Sequence, residues 1–387
     1  MKIAFDGQLF LKGNKTGIAW NAHNLIMELA KYPENECVIQ CFSKGYSQEQ
    51  LKNLHVYENA GCKVETCEWF RNVIYRLLWN FIPIPHRIFF REEPDITQFF
   101  NFVVPPGVRG RKITIIHDMG YKACPETVNR KTRDWLKLSL KKSCKHADHI
   151  ITDSEFSKQE IIKYLGVNSQ KITVVPCAVN HEEFRTDYSA EKIEEVKNKY
   201  YIDEKYFLYL GTIEPRKNLE RLIKAYAELV NRRQNVPQLV LAGGKGWYYD
   251  SIFQMVDTCH LKGKVIFTGY VEQKDSPLLM SGAIAFVFPS LYEGFGMPPL
   301  EAMACGTPVI TSKTTSLPEV VGDAGILIDP EDIEELSDAM EQMMDNEELR
   351  EKLKKAGIKR AAMFTWEKSA EILMDVYRKA IGKSVSD

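Results

Sequence analysis

Long hydrophobic runs are missing from this sequence. No stretch of about 18 apolar residues, the length that a membrane-spanning helix needs, occurs in it. Residues 1–7 read as a β-strand and lack the long apolar core of a signal peptide. The nine cysteines are dispersed and include no Cys-x-x-Cys pair, which indicates reduced thiols rather than a disulfide framework. We therefore expect a cytoplasmic protein.

A strong net charge and a paired-aspartate motif are absent as well. The formal net charge is −1, so the overall charge does not predict a polyanionic partner such as a nucleic acid. An Asp-x-Asp pair, which could hold a divalent metal ion, does not occur. The sequence predicts no metal site and no cofactor.

The chain has 387 residues, of which 44% are hydrophobic, and this length suggests two domains. Two series of short apolar runs alternate with helical stretches, and the charged segment 186–205 between them is predicted to be the linker and entry to a second domain. This alternation is typical of an α/β protein with doubly wound parallel sheets. The predicted strands are residues 2–5, 37–42, 63–67, 96–100, 113–116, 149–152 and 172–175, then 207–210, 239–242, 265–268, 283–288, 309–311 and 326–328.

The most informative stretch, residues 289–308, reads PSLYEGFGMPPLEAMACGTP and follows a predicted strand. Gly294 and Gly296 permit a turn that brings backbone N–H groups close to an anion, and a helix N-terminus follows. Glu293 and Glu301, separated by seven residues, could accept hydrogen bonds from hydroxyl groups. The stretch suits a phosphate joined to a sugar. An ordinary strand–loop–helix connection is the alternative, with Glu301 stabilising the helix dipole.

The Glu-x7-Glu pattern in this context resembles the signature of retaining, nucleotide-sugar-dependent glycosyltransferases of family 4. The resemblance covers nearly the whole chain and is strongest over residues 207–330. It implies a GT-B fold, in which two Rossmann-like domains flank a cleft. It places an N-terminal acceptor-side domain at residues 1–185, with helix 366–387 packing back on it, and a nucleotide-sugar-binding domain at 200–365.

A basic pair, Arg216 and Lys217, follows the first strand of the second domain, near a helix start where an anion is favoured. The resemblance implies that this pair binds the donor diphosphate, that Glu293 steadies the donor sugar and that Glu301 accepts from the ribose. Many members carry an arginine where this chain has Thr212, so the assignment of each cation to a phosphate stays open. The resemblance implies that Gly17 belongs to a glycine-containing loop, residues 12–18, over the donor phosphate and the acceptor, with an ordinary glycine turn as the alternative. It adds Val271, Phe295, Gly296 and Met297 to the donor site. Gly243 follows a predicted strand and allows the backbone to approach the nucleotide closely.

His117 and Asp118 end the predicted strand 113–116, and polar residues at such strand ends face the ligand crevice of a parallel sheet. The resemblance implies that His117 contacts the donor sugar, and we expect Asp118 to orient His117 or to approach the acceptor. A structural histidine is the alternative. With Glu293, these two residues are the predicted catalytic groups. The segment 153–157 is predicted to cap a helix. The family has a similar Ser-Glu-x-Ser here, so the resemblance gives a role on the acceptor side as the alternative.

We therefore predict a retaining, metal-independent hexosyltransferase that moves a sugar from a nucleotide diphosphate to a glycan or lipid-linked acceptor. Residues 211–218 are similar to the form found in bacterial mannosyltransferases of polysaccharide assembly, including lipopolysaccharide, so GDP-mannose is the first choice of donor. A GT-B nucleotide-sugar epimerase and a non-catalytic nucleotide-sugar-binding subunit are the alternatives.

Two stretches of the first domain suit an anionic membrane surface. Residues 69–79 mix aromatic residues with arginines, and the predicted helix near 130–145 is strongly basic, with Asp134 as its acid. A solvated basic face and a core helix are the alternatives. The hypothesis is peripheral contact with the inner face of a membrane.

Overall fold

The computed structural model describes residues 1–11, 17–82, 84–203 and 205–382. They form two compact units. The first unit combines residues 1–121 and 130–177 with the C-terminal segment that begins at Trp366. The second unit comprises residues 122–129 and 178–365.

The first unit contains a parallel sheet of seven strands in the order β3-β2-β1-β4-β5-β6-β7. Strand order reverses between β1 and β4, and in open α/β sheets ligands bind at the carboxyl ends of the strands at such a switch point. Its strands are β1 (Lys2–Asp6), β2 (Glu36–Phe42), β3 (Lys63–Cys67), β4 (Ile96–Phe99), β5 (Arg111–Ile115), β6 (His149–Thr152) and β7 (Ile172–Val174).

The second unit contains a parallel sheet of six strands in the order β10-β9-β8-β11-β12-β13. Here the order reverses between β8 and β11. Its strands are β8 (Tyr206–Leu210), β9 (Gln238–Ala242), β10 (Val265–Gly269), β11 (Ala285–Phe288), β12 (Val309–Ser312) and β13 (Gly325–Ile328). The prediction of an α/β fold with two doubly wound sheets is confirmed.

Helices connect the strands in both units. Those of the first unit are α1 (Gly17–Leu29), α2 (Gln48–Lys52), α3 (His55–Asn59), α4 (Asn72–Leu78), α5 (Gly120–Ala123), α6 (Arg130–His146), α7 (Glu155–Leu165) and α16 (Trp366–Ala380), although α5 extends into the second. Those of the second unit are α8 (Ala190–Lys199), α9 (Leu219–Arg232), α10 (Asp250–Thr258), α11 (Ser276–Gly282), α12 (Met297–Ala304), α13 (Leu317–Val321), α14 (Ile333–Asp345) and α15 (Glu347–Ala361).

The segment predicted to be the linker and entry to the second domain carries helix α8, which the sequence analysis did not predict. Ser189 caps the helix, its side chain accepting a hydrogen bond from the Lys192 backbone. Helix α8 packs against α11 and buries Val196. Its sequence is so rich in charge that only a narrow apolar stripe marks it as a helix.

The C-terminal helix α16 completes the first unit. It packs against α1 and buries Leu373, Met374 and Tyr377. The Tyr377 hydroxyl donates to Oε1 of Gln98 on β4 at 3.1 Å. The hydroxyl of Ser369 donates to the Pro176 carbonyl at 2.7 Å. The chain therefore returns to the first unit after forming the whole of the second.

No helix in the four described ranges is both long enough and apolar enough to span a membrane.

Candidate active site

Two oppositely charged segments meet at the switch point of the second sheet. The segment after β8 carries Arg216 and Lys217, and the segment after β11 carries Glu293. Because β8 and β11 are neighbours, these segments leave the same edge of the sheet side by side. Nζ of Lys217 donates to Glu293 Oε1 at 2.5 Å, and Nη1 of Arg216 donates to Glu293 Oε2 at 2.7 Å. The structure thus brings together three residues that the sequence analysis assigned to the site.

A fourth charge, Glu214, completes this ionic cluster. Nη2 of Arg216 donates to Glu214 Oε1 at 2.8 Å, and Nη1 also donates to the carbonyl oxygen of Tyr292 at 2.7 Å. The ionic cluster of Glu214, Arg216, Lys217 and Glu293 contains two acids and two bases, so its formal charges balance. Its guanidinium and ammonium groups are therefore held by carboxylates before any ligand binds.

Burial makes the cluster sensitive to the loss of any one charge. Lys217 and Glu293 are each 8% exposed, and Glu214 is 2% exposed. Burial alone would raise the pKa of Glu293, but the charges of Arg216 and Lys217 lower it to about 2. Burial, together with the like charge of Arg216, lowers the pKa of Lys217. Lys217 is thus a buried residue, although a lysine that binds a ligand need not be part of the core.

The loop that carries Glu293 is fastened to the segment after β12. The hydroxyl of Ser316 lies 2.9 Å from the carbonyl oxygen of Glu293 and 2.7 Å from that of Phe295, and donates to this pair. The backbone N–H of Glu293 donates to Oγ1 of Thr315 at 3.3 Å. The hydroxyl of Ser312 donates to the Ser290 carbonyl at 2.7 Å. These contacts fix the Glu293 carboxylate where the two cations reach it.

Helix α12 begins at the end of this loop. Gly296 has φ +123°, and a Cβ added there would lie 2.8 Å from Cδ2 of Leu317, so both conformation and space favour glycine. Met297 is the first helical residue and is followed by Pro298 and Pro299, which have no N–H. An anion at this end of the helix would therefore be met by amides of the loop before Pro298. From the sequence, we expected the helix N-terminus to contribute to that role as well.

Glu301 lies apart from the ionic cluster. Among the described residues no cation forms an ion pair with it. Burial, with a smaller contribution from the charge of Glu183, raises its pKa to about 8. The two acids of the Glu-x7-Glu pattern thus have opposite environments, because Glu293 is stabilised as a carboxylate and Glu301 as a neutral acid.

Three other predicted donor-site residues lie around the same sheet edge. Gly243 follows β9, and a Cβ there would meet the Gly211 carbonyl oxygen at 1.9 Å. The close backbone approach at Gly243 is therefore to the end of β8. Val271 is buried just after β10, and Phe295 is buried with its ring edge-on to Phe364 at 5.8 Å.

His117 lies in the first unit, where both of its ring nitrogens are occupied. Nδ1 is 2.7 Å from Asp153 Oδ2, and Nε2 is 2.9 Å from the carbonyl oxygen of Phe100. The Phe100 carbonyl can only accept, so Nε2 donates to it, and the Asp153 carboxylate favours a proton on Nδ1. Burial lowers the pKa of His117, but the charge and hydrogen bond of Asp153 outweigh it, so the net direction is upward.

Asp118 does not orient His117. Its Oδ1 accepts from the backbone N–H of Gly120 at 2.9 Å, at the start of α5. Asp153, at the end of the neighbouring strand β6, is the residue that orients the imidazole. The predicted helix cap in the same segment is Ser154, whose side chain accepts from the Ser157 backbone at 3.0 Å.

Gly17 is the first residue of α1, and a Cβ there would meet nothing within 4 Å. The rest of the glycine-containing loop that we expected to cover the donor, residues 12–16, lies outside the described residues.

Sequence comparison places the chain in a known family. Residues 16–183 match the model of Glycosyltransferase Family 4, and residues 191–360 match that of Glycosyl transferases group 1. The O-antigen chain mannosyltransferase B of Escherichia coli is 37% identical over 283 residues, which cover 72% of each chain. The chain belongs to the family 4 glycosyltransferases.

Other relatives of this glycosyltransferase have similar names. The serotype-specific mannosyltransferase WbdA of Escherichia coli is 35% identical over 62% of this chain, although the match spans only 29% of WbdA. The O-antigen chain mannosyltransferase RfbU of Salmonella typhimurium is 34% identical over 61% of this chain and 64% of its own length.

Solved structures agree on the fold. Anabaena HepE in complex with UDP and glucose superposes with a TM-score of 0.72 at 18% identity, covering 98% of this glycosyltransferase and all of HepE. WaaG, a glycosyltransferase involved in lipopolysaccharide biosynthesis, gives a TM-score of 0.68 at 14% identity over 97% of this chain and 99% of its own. The glycosyltransferase has the GT-B fold, as predicted.

Sequence reasoning missed several residues that position the site. Glu214 and Asp153 both stand just after a strand, at the edge of a parallel sheet where functional groups gather. Thr315 and Ser316 follow β12 at the same edge. The position of these four residues near strand ends was a signal that the sequence offered. Their hydrogen-bond partners, however, follow other strands, so the contacts can be identified only in the folded chain.

We predict that replacing Glu301 by Gln stabilises the glycosyltransferase at alkaline pH. Glu301 titrates near its ordinary value of 4.5 when unfolded and near 8 when folded. Ionising it in the folded state therefore costs free energy, and wild type loses stability relative to Glu301→Gln as the pH rises from about 5 to 8. Urea denaturation at pH 5, 7 and 9 measures the difference. Equal pH dependence in the two proteins would contradict it, and exposed Glu195→Gln is the control.

We also predict strong coupling between Lys217 and Glu293. Lys217→Met leaves a buried carboxylate short of one partner and should cost about 3–5 kcal/mol of unfolding free energy. The double variant Lys217→Met/Glu293→Gln should recover part of that loss in urea denaturation. Lys262→Met, from a pair whose side chains are 88% and 66% exposed, is the control and should change stability by less than about 0.5 kcal/mol. Simple addition of the two single effects would refute the coupling.

Proposed function

We propose that this glycosyltransferase moves mannose from GDP-mannose, with retention and without a metal ion, to a glycan or lipid-linked acceptor in polysaccharide assembly. The observation that carries the proposal is the buried ionic cluster at the switch point of the second sheet. Two cations stand there at the strand ends where a doubly wound sheet binds its ligand. The names of the mannosyltransferase relatives support the choice of sugar and pathway, and the complex of HepE with UDP supports a nucleotide-linked donor.

In the proposed donor complex, the diphosphate competes with Glu293 for Arg216 and Lys217. Negative charge grows on the leaving diphosphate as the glycosidic bond breaks, and fixed cations stabilise this charge in a site from which water is excluded. Release of Glu293 from one or both cations frees an acceptor for hydroxyl groups of the donor sugar. Binding of the diphosphate would thus free the Glu293 carboxylate to bind the donor sugar.

Glu301 has a separate proposed role at the ribose. Its raised pKa means that it is largely protonated at neutral pH without a ligand. Two ribose hydroxyl groups that donate to its oxygens would favour the ionised form, so nucleotide binding would release a proton. Gly243, Val271, Phe295, Gly296 and Met297 are proposed to border the nucleotide, and Gly17 the loop over its phosphates.

Retention is proposed to follow a front-face route. The acceptor oxygen attacks the anomeric carbon on the face that the diphosphate leaves, the bond from that carbon to the phosphate oxygen breaks, and the acceptor proton passes to a leaving phosphate oxygen. His117 would contact the donor sugar through its Nε2–H, which must first leave the Phe100 carbonyl. Asp118, which holds the turn before α5, would act on the acceptor side only through the position of that turn.

The test of this proposal is transfer from GDP-mannose in excess EDTA. We expect nucleoside diphosphate release that depends on an added mannosyl acceptor, and an α-linked product by nuclear magnetic resonance. A complete loss of transfer that Mg²⁺ restores would refute metal independence, and a β-linked product would refute retention. Acceptor-independent release of an epimerised sugar would identify an epimerase, and nucleotide-sugar binding without turnover would identify a binding subunit.

A membrane contact is proposed for the first unit. Val73 and Leu77 stand one turn apart on α4 and are 68% and 62% exposed, and Phe81, just beyond the helix, is 75% exposed. The basic helix α6 adjoins this apolar surface. The ammonium group of Lys142 donates to the Asn80 carbonyl at 2.8 Å. Apolar side chains beside a row of lysines are typical of segments that bind the interface of an anionic bilayer.

We predict that reversing Lys137, Lys141 and Lys145 to Glu lowers binding to phosphatidylglycerol vesicles by roughly a hundredfold or more, since each surface lysine contributes about 1 kcal/mol. Lys142 is left intact because its bond to Asn80 is structural. Vesicle co-sedimentation at low and high salt measures the effect. The matched control reverses three exposed lysines of α15, Lys352, Lys355 and Lys359. Equal binding of both variants would contradict the assignment to α6.

A further inference from the structure

A chain of buried polar side chains continues from His117 beyond Asp153. Asp153, Cys177 and Asn21 are each at most 4% exposed, and all three belong to the first unit. His117, Asp153 and Cys177 follow the neighbouring strands β5, β6 and β7, so they leave the same edge of the sheet side by side. Asn21 lies on helix α1. We call these four residues the His117 network.

The carboxylate of Asp153 uses only one of its oxygens to hold His117. Oδ2 lies 2.7 Å from Nδ1 of the imidazole. Oδ1 is buried and accepts from no nitrogen or oxygen donor in the described part of the chain. A buried acceptor without a donor costs free energy, and the terminal torsion of an aspartate is broad, so one hydrogen bond does not fix the plane of the carboxylate. A second donor is needed to hold it.

The thiol of Cys177 is that donor. Burial raises the pKa of Cys177 well above its ordinary value, and the charge of Asp153 and the hydrogen bond to it act in the same direction, so the sulfur keeps its proton. A thiol is both a weak donor and a weak acceptor, so it can receive one hydrogen bond while it gives another. Its single proton serves Asp153 only if the S–H group is turned the right way.

Asn21 sets the direction of that S–H group. Its Nδ2 donates to Sγ of Cys177 at 2.8 Å. The thiol proton can rotate about the Cβ–Sγ bond, and a donor on one side of the sulfur leaves the proton to point elsewhere, which here is toward Asp153. Oδ1 of Asn21 is buried without a partner among the described residues. Packing therefore does not explain this amide, because an apolar side chain would avoid that cost.

Neighbouring elements fix the backbone at both ends of the chain of side chains. The bond from Ser369 of α16 to the Pro176 carbonyl holds the peptide next to Cys177. The hydroxyl of Ser157 on α7 donates to the carbonyl oxygen of His117 at 3.0 Å. The orientation of the carboxylate between these fixed points is thus left to the side chains.

We propose that Cys177 and Asn21 are positioning residues for His117, which act through the carboxylate of Asp153. Asn21 orients the thiol, the thiol holds the second oxygen of Asp153, and the carboxylate then fixes the plane of the imidazole and the proton on its Nδ1. The value of this orientation for sugar transfer rests on the proposed function. The positioning itself rests only on the contacts of the His117 network.

Three substitutions separate hydrogen bonding from packing in this network. Cys177→Ala removes the thiol donor, whereas Cys177→Ser keeps a donor and an acceptor at the same position. Asn21→Leu removes the amide donor but fills a similar volume. A positioning role predicts that the alanine and leucine variants disturb His117 and that the serine variant does not.

The test observes the imidazole directly, in protein without donor. The chain has eight histidines, so their rings are labelled with ¹⁵N, and the variant His117→Gln identifies the signals of His117 in ¹H–¹⁵N correlation spectra. We expect exchange of the Nδ1 proton with water to become about threefold faster or more in Cys177→Ala and Asn21→Leu, as loss of a weak hydrogen bond allows. Cys177→Ser should exchange at close to the wild-type rate.

Cys67→Ala is the matched control. It removes the same atom from a similarly buried cysteine on β3, the edge strand farthest from β7, and should leave the His117 signals unchanged. An unchanged exchange rate in both Cys177→Ala and Asn21→Leu would overturn the proposal. An equal effect of Cys67→Ala, or a serine variant that behaves like the alanine variant, would overturn it too, because either result indicates loosened packing.

Transfer kinetics distinguish this inference from the proposed function. If His117 contacts the donor sugar, Cys177→Ala and Asn21→Leu should lower kcat about three- to tenfold with little change in donor KM, and Cys177→Ser should restore it. Loss of kcat in His117→Gln but not in these two variants would overturn the inference. A normal kcat in His117→Gln would refute the proposed donor contact instead, and the exchange rates would still decide the positioning.

Discussion

The ion pairs of Glu293 are the interaction on which the second unit's functional edge depends. A carboxylate that is 8% exposed is tolerable only if cations neutralise it, and Arg216 and Lys217 do so from the neighbouring strand end. The hydroxyl groups of Thr315 and Ser316, after β12, then hold the loop that carries Glu293 in place. A ligand that draws these cations away must supply negative charge of its own, which makes a diphosphate a natural occupant and a neutral molecule a poor one.

The two switch points share a topology but carry different side chains. At one switch point the charges are already paired and buried, and at the other Asp6 and Arg76 face open space beside aromatic rings. Paired charges suit a ligand that carries strong charge into the site. Fold alone does not distinguish these cases, because the difference lies in a few side chains at strand ends.

Much of the fold was predictable because its strands are short apolar runs in a charged sequence. β3 and β6 have the predicted bounds, and most other strand ends differ by one or two residues. Helix α8 was missed because tertiary contact with α11, rather than a broad apolar face, stabilises it. In the site, an acidic residue at Glu293 and two basic residues at Arg216 and Lys217 were recognisable from the sequence as candidate ligand-binding groups. Their mutual pairing, the burial of Lys217 and the role of Asp153 were not, because each depends on partners between 36 and 77 residues away.

The return of α16 to the first unit has a consequence for synthesis of the chain. Residues 178–365, a span of 188, must leave the ribosome before α16 can dock on α1. At about 5–20 residues per second, that span takes roughly 10–40 s to translate. During this interval the second unit can fold, whereas the first waits with the apolar face of α1 uncovered. The first unit is thus synthesised first but completes its folding last. It is the unit that a nascent-chain chaperone would need to shield.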